Sequence, residues 1–117
     1  MAADSELRPA LRIVLVDDDS LFAESLGENL RDAGFAVQSF ISGDKCLGFF
    51  DDGGNADLLL LDWKMDGTSG IEVLRRLRDE GKDVPAIFLT ALTDQMFEEA
   101  ALATGAVDFV DKARSFS

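Results

Sequence analysis

A length of 117 residues is enough for one buried core and not for two. Acids outnumber bases 23 to 11, a net charge of −12, which argues against direct nucleic-acid binding and suits a divalent cation wherever the acids converge. The chain has no histidine, so a Ser-His-Asp triad, a histidine-ligated zinc and an internal histidine phosphocarrier are excluded.

The opening MAADSELRPA (1–10) carries acids and no apolar centre, so it reads as an N-terminal tail and not a secretory signal. RIVLV (12–16) is a first apolar strand. In SLFAESLGENLRDAG, Phe22, Leu26 and Leu30 recur every four residues on one helical face. Asp19 is placed to cap that helix, and Gly34 stops it. FAVQSF (35–40) is a second strand. Ser42 can cap a short helix carrying Leu47, Phe49 and Phe50, which ends at the turn signal DDGGN. The single cysteine, Cys46, lies on that helix; it permits no internal disulfide, fits a reducing cytoplasm and is expected to be a buried, inert thiol. LLLLD (58–62) has no polar alternation, so it reads as a strand buried on both faces of a parallel sheet. Ile71, Leu74 and Leu77 give a third helical face, with Gly81 after it. PAIFLT (85–90) is a fourth strand opened by Pro85, where a missing N–H is tolerated. Thr93 or Asp94 caps a fourth helix closed at Gly105, and VDFV (107–110) is a fifth strand. No apolar run reaches the length of a membrane span.

Strict alternation of strand and helix predicts right-handed crossovers and a parallel sheet with helices on both faces. The strand ends then share one edge, the edge where open α/β sheets bind ligands. Asp17 and Asp18, Asp62, Thr90 and Lys112 are delivered there. Each has a bland alternative: acids after a first strand often cap a helix, a lone Thr90 or Lys112 is usually surface, and Phe109 is by default core. Asp62 is the hardest to set aside, because a carboxylate is rarely placed against so apolar a strand without a partner.

Together these residues resemble the receiver domain of two-component response regulators. LVDDD is similar to that family's acidic pair, matched by Asp17 and Asp18. LLLLDWKM…G resembles its phosphoacceptor segment, matched by Asp62 with Gly70 eight residues on. FLTA and DFVDK match its switch threonine, switch aromatic and lysine as Thr90, Phe109 and Lys112. The resemblance implies a flavodoxin-like, doubly wound, five-stranded parallel sheet of order 2-1-3-4-5. It implies Mg²⁺ held by Asp17, Asp18, Asp62 and the backbone carbonyl of Lys64. It further implies a cytoplasmic domain phosphorylated on Asp62 by a sensor histidine kinase, with Lys112 and Thr90 assisting and Thr90 and Phe109 as switch. Lys64, Asp66 and Leu92 fall at positions expected to tune the reaction, and the expected readout is the surface of the fourth helix and fifth strand. The domain would catalyse only its own phosphorylation and dephosphorylation.

Three departures accompany the resemblance. Asp66 stands where the family usually has proline, adding a fourth acid near the rim and predicting a more mobile loop. Ala113 replaces the proline that follows the family's lysine in a cis peptide; a cis bond to a non-proline costs roughly 2.5–4 kcal/mol, so trans is expected. Five residues remain after Lys112, too few for the family's fifth helix. The expectation is therefore a receiver spanning 11–117, incomplete at its C-terminus. It would precede an output domain, such as a DNA-binding one, and its uncovered apolar face would favour self-association as a dimer. Two other functions compete. A phosphatase of the haloacid dehalogenase type would use Asp17 and Asp19 and leave Asp62 without a role. A receiver-like module could bind partners without phosphorylation. A flavodoxin-like carrier fits less well, since a flavin-phosphate loop wants hydroxyls and glycines where this chain has three aspartates.

Overall fold

The computed structural model describes residues 10–90, 99 and 102–112. In chain order it holds β1 (Arg12–Val16), α1 (Ser20–Asp32), β2 (Ala36–Phe40), α2 (Gly43–Asp51), β3 (Leu58–Asp62), α3 (Gly70–Asp79), β4 (Ala86–Thr90) and β5 (Asp108–Asp111). The helices begin where a short polar side chain replaces the missing helical acceptor. Asp19, Ser42 and Ser69 are the N-caps, accepting from the amides of Phe22, Lys45 and Glu72. The strand after α1 starts at Ala36, one residue later than expected. The Phe35 amide donates to the Leu30 carbonyl and that of Gly34 to Arg31, with Gly34 at φ 101°. This Schellman closure consumes the residue that the apolar pattern assigns to the strand. β4 likewise starts at Ala86, after Pro85, and β5 runs 108–111 rather than 107–110. Of the fourth helix, Leu102 and Ala103 are helical, with Gly105 beyond them at φ 102°. The proposed caps Thr93 and Asp94, the tuning position Leu92, and Ala113 lie outside the described residues.

All four strand pairings are parallel, in the order β2-β1-β3-β4-β5. Period-two alternation sends Val14, Val16, Leu59, Leu61 and Phe88 to one face, where they meet Cys46, Leu47 and Phe50 of α2 and Val73, Leu74 and Leu77 of α3. Ile13, Leu15, Leu60 and Leu89 go to the other face, where Ala23 and Leu26 of α1 cover part of them. β3 is buried on both faces, as its four leucines require. At about 25 cal/mol per Å², each buried leucine contributes roughly 2 kcal/mol. The stripe of α3 differs from the expected one: Val73, Leu74 and Leu77 are buried, while Ile71 is only half-buried. The covering is also uneven. Among the described residues, an apolar groove of about 350 Å³ lies beside α1, walled by Leu26, Leu30, Leu58, Leu60, Ile87 and Leu89. No helix among them is long and apolar enough to cross a membrane.

Cys46 is fully buried on α2. Its surroundings push the thiol up to about 12, because a thiolate there would lose its hydration.

Candidate functional site

The parallel sheet brings its strand ends to one rim. β1 and β3 are neighbours, so the residues that follow Val16 stand beside Asp62, the last residue of β3. Asp17, Asp18 and Asp62 each offer a carboxylate oxygen, all within 4.8 Å of one another. Asp17 is fully buried and Asp62 nearly so, while Asp18 is exposed. Lys112, just past β5, reaches across the rim: its Nζ lies 2.7 Å from Asp17 Oδ2 and 3.3 Å from Asp62 Oδ1. Asp17 Oδ1 accepts the Asp19 amide at 2.9 Å. Its Oδ2 takes no directed hydrogen bond and has the Lys112 ammonium for company.

Three carboxylates with one cation between them are electrostatically unfinished. Burial, and then the charge of Asp17, push Asp62 up to about 7 from the usual 3.8, against the opposing pull of Lys112. Burial alone would lower the Lys112 ammonium; its close pairing with Asp17 and the charges of both aspartates outweigh burial and raise it. The donors are all hard oxygens, and one buried oxygen lacks a directed hydrogen bond. That combination fits a small hard divalent cation such as Mg²⁺.

The β3–α3 loop shapes the other side of the rim. The Asp66 amide donates to Asp18 Oδ2 at 3.2 Å, a bond that a proline at 66 could not make. Thr68 Oγ1 donates to Asp44 Oδ1 at 2.7 Å, tying the loop to the start of α2. Lys64 and Asp66 are exposed beside Asp62, whereas Met65 is buried. Trp63 turns towards the core, edge-on to Phe88 with ring centroids 4.9 Å apart. Gly70 opens α3 directly beneath the site. A Cβ there would collide with the Asp62 carbonyl oxygen and would crowd Phe88, so glycine alone lets α3 approach the strand end this closely.

Thr90 is buried at the end of β4, opposite Asp111 of β5. Phe109 is half-buried on β5 against the α2–α3 core, in register with Phe88. Asp17, Asp18 and Asp62 are therefore clustered, Lys112 pairs with Asp17 and Asp62, Thr90 ends the strand next to β3, and Phe109 stands apart on β5. Sequence reasoning missed Phe22, whose ring lies under the Lys112 ammonium with Nζ 4.6 Å from the centroid. It also missed Ser69 as the α3 cap, although Ser69-Gly-Ile-Glu72 has the spacing of a capping box.

The model of the response regulator receiver domain matches residues 13–116. The phosphate regulon transcriptional regulatory protein PhoB of Rhizobium meliloti is 39% identical over 103 residues, 86% of this chain and 45% of that protein. The cyclic di-GMP phosphodiesterase response regulator RpfG of Xanthomonas campestris is 35% identical over 87% of this chain and 28% of its own length. The chain thus spans less than half the length of these curated relatives. Among solved structures, the response regulator TrrA of Thermotoga maritima in complex with Mg²⁺ and BeF superposes with a TM-score of 0.79. It is 34% identical, with 92% of this chain and 90% of that one covered.

Proposed function

This chain belongs to the response regulator receiver domains, and from that membership we propose that it accepts a phosphoryl group on Asp62 from the phosphohistidine of a sensor histidine kinase. The observation that carries the proposal is the convergence of Asp17, Asp18, Asp62 and Lys112 on one rim. An Asp62 carboxylate oxygen attacks phosphorus, a P–O bond forms, and the P–N bond to the donor imidazole breaks with its electron pair returning to nitrogen. The missing histidine makes an external donor necessary. Asp17, Asp18, Asp62 and the Lys64 carbonyl would hold Mg²⁺, which when bound neutralises charge on the phosphoryl oxygens. Lys112 keeps its ammonium at the acceptor and pairs with another phosphoryl oxygen. The Thr90 hydroxyl donates to a third and draws Thr90 toward the group, and the space it leaves admits Phe109. That shift biases the region of the fourth helix and β5, where a partner or a following output domain would read it. The setting is the cytoplasm, and the chemistry is confined to the chain's own aspartate.

Incubation with acetyl phosphate, followed by intact mass, tests the assignment. One phosphoryl group should be added only with Mg²⁺ present, and Asp62→Asn should abolish it. A gain that survives Asp62→Asn and vanishes in Asp17→Asn would move the nucleophile to Asp17 and refute the reading. Trp63 is the only tryptophan and tyrosine is absent, so emission has one source beside the acceptor. Mg²⁺ and then beryllofluoride should change it in two saturable steps; a flat response would favour a module that binds partners without phosphorylation.

A further inference from the structure

We propose that Phe22 is a positioning residue for Lys112, its ring holding the ammonium at the carboxylate cluster. The consequence for phosphorylation rests on the reading of Asp62 as acceptor; the contact itself does not. The contacts form a closed circuit. Asp17 Oδ1 accepts the Asp19 amide at 2.9 Å. Asp19, the N-cap of α1, accepts the Phe22 amide at 3.1 Å and so fixes the first turn of the helix relative to Asp17. From that turn the Phe22 ring lies beneath Lys112, with Nζ 4.6 Å from its centroid. Lys112 closes the circuit on Asp17 Oδ2 at 2.7 Å. One oxygen of Asp17 thus anchors the helix that carries the ring, and the other holds the cation that the ring supports.

A lysine is a compact charge on a flexible stem of four carbons, so its position depends on what surrounds the ammonium. Among the described residues those surroundings include two carboxylates and one aromatic face, and the side chain is 16% exposed. A cation taken up by the carboxylates would compete with Lys112 for them. The ring would not be drawn into that competition, because its attraction comes from the quadrupole of the π face. Phe22 therefore keeps the ammonium at the rim when its carboxylate partners are engaged elsewhere. The simpler account makes Phe22 one more apolar residue on the face of α1 with Leu26 and Leu30. Yet it is less buried than Leu26, and leucine would serve that purpose equally well.

That contrast defines the experiment, done on the full chain. In Phe22→Leu, the Lys112 ε-methylene NMR signals should lose the upfield displacement caused by the ring, and phosphorylation by acetyl phosphate should slow about 2- to 30-fold. Phe22→Trp should retain both the displacement and the rate. Unmoved Lys112 signals in Phe22→Leu, or a wild-type rate despite their movement, would overturn the proposal. So would a failure of tryptophan to restore the rate. If the wild-type protein gains no phosphoryl group, the reading of Asp62 fails, and the Lys112 signals still decide whether Phe22 holds the ammonium.

Discussion

Replacing Asp62 with asparagine should stabilise the protein at pH 8 without divalent cations and leave its stability nearly unchanged at pH 4. The carboxyl sits at about 7 in the folded chain and 3.8 in its ordinary setting, chiefly through burial and then the charge of Asp17. The folded state therefore holds this proton more tightly than the unfolded state. The stability contributed by the protonated form is complete below about pH 3.8 and is lost as pH rises through about 7. The full displacement corresponds to on the order of 4 kcal/mol; water reaching the rim reduces this to about 1–3 kcal/mol. For a domain of this size that is several degrees in melting temperature. Melts of both proteins in chelator from pH 4 to 9 would reveal a gap that opens from about pH 4 and is complete a little above pH 7, and added Mg²⁺ should raise the wild-type curve and narrow it. A gap independent of pH, or an asparagine variant that melts lower at pH 8, would refute the reasoning. Either result would mean that pairing with Lys112 outweighs burial and repulsion.

Gly70→Ala should destabilise the fold by about 1–3 kcal/mol through overpacking against the Asp62 carbonyl, despite the better helix propensity of alanine. A melting temperature equal to wild type would show that α3 can retreat freely. Lys64→Ala should change the lifetime of the phosphorylated protein, followed by intact mass, while Mg²⁺ affinity stays within a few fold; the side chain is exposed beside Asp62, and only its carbonyl is assigned to the metal. The expected self-association would use the apolar groove beside α1. Sedimentation velocity should therefore find concentration-dependent dimers that Ile87→Lys disperses, and a wild-type monomer throughout would exclude that use of the groove.

Local signals carried most of the fold. Four unbroken leucines announce a strand covered on both sides, and Asp19 and Ser42 announce helix starts, because each effect acts within a few residues. The stripe of α3 was harder to read, since its buried positions, Gly70, Val73, Leu74 and Leu77, begin with a glycine. Hydropathy gives no weight to a residue whose value is the absence of a side chain, so Ile71 took its place in the reading. Asp17, Asp18, Asp62, Thr90 and Lys112 were legible as strand ends once a parallel sheet was inferred. The Phe22 ring under Lys112 and the Asp66 amide on Asp18 were not. Both join residues far apart in sequence through the strand order, and the second is a backbone group that any residue except proline could supply.

The buried thiol of Cys46 has a kinetic use. It is the chain's only sulfhydryl, and with its pKa near 12 it stays protonated and unreactive while α2 lies on the sheet. A thiol reagent in excess can modify it only while that helix is lifted, so the labelling rate counts openings of α2. The hydrogen bond from Thr68 to Asp44 ties the start of α2 to the loop that leaves Asp62, and events at the rim should therefore change that count. The protein carries its own gauge of breathing.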